Sequence, residues 1–508
     1  RHEPLRTAVC RVNGEPQQLI VEPDDVAVPL QWHDLRDLDA GERDHRAREL
    51  AAAAARTPFD LGEPPLWRAT VAALTDRDHL LQLTLHHLIV DGWSLPLLMD
   101  ELARLYDADL HGEPASLPPL PTGFAEVARR QRDALTGERL AAELRFWREH
   151  LRGAPQLIDL PIDHPRPATP SYRGDTVEVT LPGDLSRQVR ALARTLRTTP
   201  FVVQLAVVAT LLHRYTGQDE IVIGTPVAGR TDADQQRLVG YLANTLVLRI
   251  AVSDRSPFVE VVTRVRQAVV TALDHQDVPF ERLVADLAPE RTATHHPLFQ
   301  VLFSATDAST TWRAGDLTFE MVPPVRTGTA KLDLSVGWHE FPSGTSVAIE
   351  YATDLFERDT VERMAGHLLS LVRSVTADPD REVGSHGLLT GAEQAAALAR
   401  AQGPQAPVWR PERAVHHQVL AHARRRPDAL ALDDGERRLT YGELVRAAAG
   451  LATRLRRLGA GPGTVVAVCH RRGADLVVAE LGAMLAGAAF LPLDPTAPKL
   501  RLQRLVDQ

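Results

Sequence analysis

Cysteine is nearly absent. Cys10 and Cys469 are the two in 508 residues, far apart and outside any Cys-x-x-Cys spacing, which argues against a disulfide framework and a thiolate metal site. Each reads as a buried small apolar residue. Lysine is as scarce, with only Lys331 and Lys499; the Arg- and Ala-rich usage reads as the coding bias of a GC-rich genome and carries no mechanism. No window approaches the roughly 18 consecutive apolar residues of a membrane span. The 66 acidic and 57 basic residues give a net charge of −9 without long runs of one sign, which argues against a nucleic-acid or anionic-membrane surface. With 44% hydrophobic and 24% charged residues, the composition is that of an ordinary globular protein, expected in the cytoplasm. The length exceeds one core and predicts two to four compact units. The chain opens at Arg1 without an initiator Met and stops at Gln508 inside a helical pattern, so both ends read as cut from something longer.

The hydrophobic pattern is α+β. Residues 80 to 85 alternate as a half-buried strand and lead into His86-His87. Ser94 reads as an N-cap with Pro96 in the first turn, ahead of apolar positions Leu98, Leu102, Leu105 and Tyr106 at helical spacing. Residues 112 to 123 read as a Pro- and Gly-containing loop, and 124 to 152 as one charged amphipathic helix. A strand is expected from Asp175 to Leu181, and a helix opened by Thr199-Pro200 is apolar nearly all round, hence buried. Strands follow at Ile221 to Gly224, at Asn244 to Ile250 and between Leu317 and Tyr351. The expected organisation is a first lobe over 1–165, a second over 166–383, an aperiodic linker over 384–411 and the start of an α/β domain over 412–508. In the last of these, Thr440-Tyr-Gly-Glu443 has capping-box spacing.

The chemistry-bearing segment is His86-His87-Leu-Ile-Val-Asp91-Gly92-Trp93-Ser94. Two imidazoles at a strand end can exchange protons near neutral pH, an apolar spacer anchors the turn, and glycine leaves room for a substrate beside the main chain. The pairs His295-His296 and His416-His417 have no Asp-Gly after them and read as structural. Pro342-Ser-Gly-Thr-Ser346 superficially suggests a phosphate loop but lacks the following Gly and Lys, and reads as a hairpin turn.

The His segment resembles the HHxxxDG motif of condensation domains of nonribosomal peptide synthetases, within the wider chloramphenicol-acetyltransferase-like family. Four further segments agree in order: Arg1-His-Glu-Pro-Leu-Arg-Thr7 with RHExLRT, Leu238 to Arg249 with VGxFxNTLxLR, His275-Gln-Asp-Val-Pro-Phe-Glu281 with HQDxPFE, and Arg291 with His296-Pro-Leu-Phe-Gln300 with RxxxxxPLFQ. Leu157 to Thr231, with Tyr172-Arg-Gly-Asp and Gly224 to Arg230, is most similar to condensation domains taking a D-configured donor and an L-configured acceptor. Further on, Leu439-Thr-Tyr-Gly-Glu-Leu444 and Met484 to Pro495 resemble the beginning of an adenylation domain of the AMP-dependent synthetase family. Its phosphate loop, ribose-binding aspartate and catalytic lysine would lie later, so no adenylation is expected of this segment. The family's segment ahead of RHExLRT is missing, and its tyrosine-tryptophan segment near Phe124 is only partly recognisable.

The resemblance implies two chloramphenicol-acetyltransferase-like lobes in a V-shaped pseudo-dimer, then the start of an α/β adenylate-forming domain. It implies peptide-bond formation between two thioesters on phosphopantetheine arms supplied in trans by donor and acceptor peptidyl carrier domains of the assembly line, for an antibiotic or other secondary metabolite. The condensation part would bind no cofactor or metal of its own; ATP and Mg would serve only a complete adenylation domain. His87 would be central, as general base or as hydrogen-bond donor. His86 would hold the loop, Asp91 would pair with Arg1 or Arg6, and Gly92 would lie close to the forming amide. Trp93 and Ser94 would line the tunnel or cap the next helix, core packing being an equal reading for Trp93. Asn244 is a tunnel or interface candidate, and Arg249 is as well read as a surface charge. The alternatives are an epimerisation domain of the same fold, or a catalytically silent scaffold module that recruits carriers, which an eroded His motif would mark. A heterocyclisation domain would replace the first His by Asp, and a plant-type acyltransferase would carry a DFGWG segment not found here.

Overall fold

The computed structural model describes residues 1–287, 294–401 and 414–507, so Arg291 and positions 402–411 of the expected linker lie outside the described residues. The fold is mixed α/β, and the chain divides into two compact units, Arg1–Ala395 and Ala396–Gln508.

The first unit begins with a hairpin, β1 (Thr7–Val12) and β2 (Glu15–Ile20), turned at Asn13-Gly14, both at positive φ, where Asn and Gly are best tolerated. A three-stranded sheet follows, β3 (Leu30–Asp34), β4 (Trp67–Ala73) and β5 (His79–Leu85), with helix α1 (Ala40–Arg56) between β3 and β4. Three helices come next: α2 (Ser94–His111), α3 (Phe124–Ala134) and α4 (Gly137–His150). The single helix expected over 124–152 is broken at Leu135 to Gly137, where Gly137 takes φ +55°, in the left-handed region that ends helical hydrogen bonding. By packing, α4 joins the second lobe: Trp147 is 1% exposed, and with Ile158 and Leu160 it is part of that lobe's core. The boundary expected at 165 therefore falls too late.

The second lobe is built on one six-stranded sheet. Its strands are β6 (Gly174–Leu181), β7 (Glu220–Val227), β8 (Asn244–Ala251), β9 (Val301–Asp307), then, after a small hairpin of β10 (Thr311–Ala314) and β11 (Leu317–Glu320), β12 (Leu334–Phe341) and β13 (Gly344–Ala352). The spatial order is β6-β13-β12-β9-β7-β8. Helices α5 (Gly183–Thr195), α6 (Pro200–Thr216), α7 (Phe258–Asp274), α8 (Phe280–Leu287) and α9 (Arg358–Ala377) accompany it. Thr199 caps α6 by accepting from the Val202 N–H, and Val202 to His213 are buried throughout. The β12–β13 turn contains Gly344 at φ +131°, so the Pro342 segment is a hairpin. The β10–β11 hairpin reaches back to the first lobe: Trp312 and Ala314 pack on Ala103 of α2, and Asp107 accepts from the Gly315 N–H at 2.7 Å.

The expected linker is not aperiodic. It contains helix α10 (Gly391–Ala401), whose first turn is held by reciprocal bonds between Thr390 and Glu393. Glu393 also meets His367 at 3.0 Å, and His367 meets the Tyr215 hydroxyl at 2.5 Å.

The second unit contains α11 (Val415–Arg425), β14 (Leu430–Asp433), β15 (Arg438–Thr440), α12 (Tyr441–Arg457), β16 (Val465–Cys469), α13 (Ala474–Ala486), β17 (Ala489–Leu493) and α14 (Lys499–Asp507). Thr440 and Glu443 form the anticipated capping box, β16 and β17 run parallel, and Leu444, Ala448 and Leu481 centre its core. Cys469 at the end of β16 is exposed and Cys10 on the β1–β2 hairpin is half-buried, so neither is the buried residue expected, each lying on a two-stranded sheet outside the cores. No single helix among the described residues is long and apolar enough to cross a membrane.

Candidate active site

β5 delivers the His segment to a turn between the lobes. The His86 N–H donates to Leu66 O, and its Nδ1 accepts from the Leu88 N–H at 3.2 Å, so that nitrogen is unprotonated. Its ring meets Phe59 edge-on at 6.0 Å. Burial, followed by the charges of His87 and Lys331, holds the His86 pKa below its ordinary value. His86 thus closes its own turn. His87 points outward: it is exposed, makes no hydrogen bond to a described residue, and packs edge-to-face on Tyr241 with ring centroids 5.0 Å apart. Burial raises the pKa of Tyr241, helped by Glu281 and Asp91.

Asp91 points the other way, into the protein. Its side chain and that of Arg230 are each 1% exposed and form a two-pronged ion pair at 2.7 and 3.1 Å. Asp91 also accepts from the Ser94 N–H (3.1 Å) and hydroxyl (2.7 Å), and from the Leu242 and Ala243 N–H groups (3.0 and 3.1 Å). Arg230 donates further to Ala228 O, Leu238 O and Gly240 O. A buried charge needs this degree of satisfaction to be tolerated. The expected partners are elsewhere: Arg1 pairs with Glu101 at 2.9 Å, and Arg6 donates to Val21 O. Arg230 lies 139 residues from Asp91, too far for local spacing to reveal, and in sequence its segment reads only as a mark of donor stereochemistry. Gly229 beside it adopts φ +62°, and a Cβ there would run into the Leu242 carbonyl; that glycine before arginine is the available signal.

Ser94 is the first residue of α2 and not its N-cap. Its hydroxyl bridges Asp91 and Gly240, tying one lobe to the other. Trp93 is 45% exposed, so it is not core packing; its indole N–H donates to Gln236 O, also across the lobes. Gly92 has no positive φ, and a Cβ on it would meet nothing within 4 Å, so it is backbone beside open space and not a conformational requirement. Asn244 lines no opening by its polar atoms: it donates to Gln276 O and Val278 O and accepts from the Phe280 N–H, stapling the HQDxPFE-like segment to β8. Arg249 is not a free surface charge, since its Nε and Nη2 both donate to Glu220 and its Nη1 reaches His150 O. Nearby, a cavity of about 630 Å³ is lined by Phe280, Glu281, His296, Lys331 and Asp333. Among the described residues no group of three or more His, Cys, Asp or Glu could hold a metal.

The family model described as "Condensation domain" matches residues 1–398, and that described as "AMP-binding enzyme" matches 419–508. The chain belongs to the condensation-domain family of nonribosomal peptide synthetases, continuing into the start of an AMP-binding domain. It is 41% identical over 507 residues to phosphinothricin tripeptide synthetase PhsC of Streptomyces viridochromogenes, covering all of this chain and 46% of that protein. It is 37% identical over 510 residues to one of the linear gramicidin synthase proteins of Brevibacillus parabrevis, covering all of this chain and 10% of that protein. The chain thus spans less than half of each of these relatives. Among solved structures, a four-domain nonribosomal peptide synthetase bound to AMP and glycine superposes with TM-score 0.70 at 26% identity, over 100% of this chain and 38% of that one. The X-domain from teicoplanin biosynthesis superposes with TM-score 0.66 at 29% identity, over 77% and 87%.

Proposed function

We propose that residues 1–398 join two carrier-bound groups through an amide: the α-amine of an acceptor aminoacyl thioester attacks the carbonyl carbon of a donor peptidyl thioester. The C–N bond forms, a tetrahedral oxyanion collapses, the C–S bond breaks, and the proton lost by the amine ends on the departing thiol. The observation that carries this reading is His87, exposed on a turn that a buried ion pair between the lobes braces, with Gly92 five residues on leaving room for a Cβ. An α-amine with a pKa of about 8 is already partly neutral near pH 7 to 8. As general base His87 would contribute roughly 10² to 10⁴ in rate, and as hydrogen-bond donor to amine or oxyanion a comparable factor. The arms come from carrier domains elsewhere in the assembly line. The amide-forming step as written needs no ATP, since the donor thioester is already activated.

The AMP-binding segment after the domain favours condensation over epimerisation, and the intact His motif disfavours a silent scaffold. The Tyr172-Arg-Gly-Asp and Gly224 to Arg230 segments favour a D-configured donor, and the named peptide products of the relatives favour an antibiotic-like peptide. The test supplies donor carriers loaded with D- or L-ended peptidyl groups and an aminoacyl acceptor carrier, with mass spectrometry of the thioesters. New amide on the acceptor, faster from the D donor, is expected. Scrambled donor stereochemistry without amide would mean epimerisation, and carrier binding without chemistry would mean a scaffold.

A further inference from the structure

The imidazole of His87 lacks the hydrogen-bonded carboxylate that usually orients a catalytic histidine. Asp91, four residues on, is turned into the interior and spends its oxygens on Arg230, Ser94, Leu242 and Ala243. Among the described residues the one ring that touches His87 is Tyr241. The backbone on both sides of Tyr241 is fixed by the same buried cluster. Before it, the Gly240 N–H donates to Ser94 Oγ at 3.1 Å and its carbonyl accepts from Arg230 at 3.2 Å; after it, the Leu242 and Ala243 N–H groups bind Asp91. Gly240 is itself confined, since a Cβ there would strike the Phe124 ring. The phenol hydroxyl makes no hydrogen bond to a described residue, and the side chain is 41% exposed, so the contact Tyr241 offers is its ring.

We infer that Tyr241 is a positioning residue for His87: its ring fixes the orientation of the imidazole, and the Asp91–Arg230–Ser94 cluster acts on the chemistry through it, two contacts from the reacting atoms. This rests on the reading of His87 as the central residue of amide formation. It gives the motif's aspartate a task that needs neither proton transfer nor direct contact with the imidazole.

The test compares the chain with Tyr241→Phe and Tyr241→Leu. An edge-to-face ring pair corresponds to a factor of about two to ten. With saturating donor and varied acceptor carrier, Leu should lower kcat about three- to tenfold with the acceptor KM within twofold, and Phe should restore kcat to within twofold of the parent. Independently of catalysis, NMR of the resting chain should show cross-relaxation between His87 and ring 241 and one imidazole rotamer in the parent and the Phe variant, and rotamer averaging in the Leu variant. Unchanged kcat and unchanged imidazole order in the Leu variant would overturn the inference. So would a Phe variant as impaired as Leu, which would assign the effect to the hydroxyl. If the parent chain forms no amide, the proposed function fails, and the order of the imidazole alone decides for or against the role of Tyr241.

Discussion

Replacing Arg230 by methionine keeps the apolar bulk and removes the guanidinium from an ion pair whose two side chains are each 1% exposed. Asp91 would retain four donors, two from Ser94 and the N–H groups of Leu242 and Ala243, but would lose both bonds that neutralise its charge. Ala228 O and Leu238 O would lose the arginine donor. Breaking one side of a buried pair typically costs about 3–5 kcal/mol. For a cooperative unit as long as Arg1–Ala395, the unfolding entropy is on the order of 0.8 kcal/mol/K, so the melting temperature should fall by about 4–6 °C. Because the pair joins the β5–α2 turn to the segment carrying Tyr241, amide formation should fall with it. Asp91→Leu combined with Arg230→Met should be less damaging than the two single losses added together, by about 2 kcal/mol or more, since no charge is then left uncompensated. Calorimetry with urea titration of the four proteins measures this. A melting shift below about 1 °C for Arg230→Met, or strict additivity in the double variant, would refute the reasoning.

Gly92→Ala should leave stability within about 0.5 kcal/mol, because the added Cβ meets nothing and the backbone is ordinary there, yet slow amide formation if the acyl chain passes that point; unchanged turnover would remove Gly92 from the substrate path. Acid should destabilise the first unit before its carboxylates titrate. Burial, as the largest cause, lowers the pKa of His2, His86, His150, His296, His339 and His386 below 6.5. Over the window below pH 6.5 and above the folded-state values, the unfolded chain therefore binds more protons, and stability rises with pH. Exposed His111, whose pKa its own backbone contact raises, opposes this as one group among seven. The urea midpoint should fall between pH 7.5 and 5.5, and a flat or rising midpoint would contradict the burial argument.

What is legible in the sequence is what is local. The His segment lies in one turn, the caps at Thr199 and Thr440 are three-residue patterns, and the all-apolar α6 could only be buried. The same local signal stands ahead of α10, where Thr390 and Glu393 have capping spacing before an alanine run, and the reading of 384–411 as an aperiodic linker missed it. Partners set by tertiary packing are not legible. Nothing in the spacing of Asp91 distinguishes Arg1, Arg6 and Arg230, and the choice is made by the way the two lobes close on Ser94 and Gly240. Asn244 escapes the sequence for the same reason: its four polar contacts lie within the neighbouring backbone and along the segment from Gln276 to Phe280.

The central claim is that His87 sits where the amide forms. Single-turnover transfer from a loaded donor carrier to a loaded acceptor carrier, followed by mass spectrometry for the chain and for His87→Ala, tests it most directly. The account predicts amide from the parent chain and at least a tenfold slower rate from the variant at unchanged carrier affinity; equal rates would contradict it.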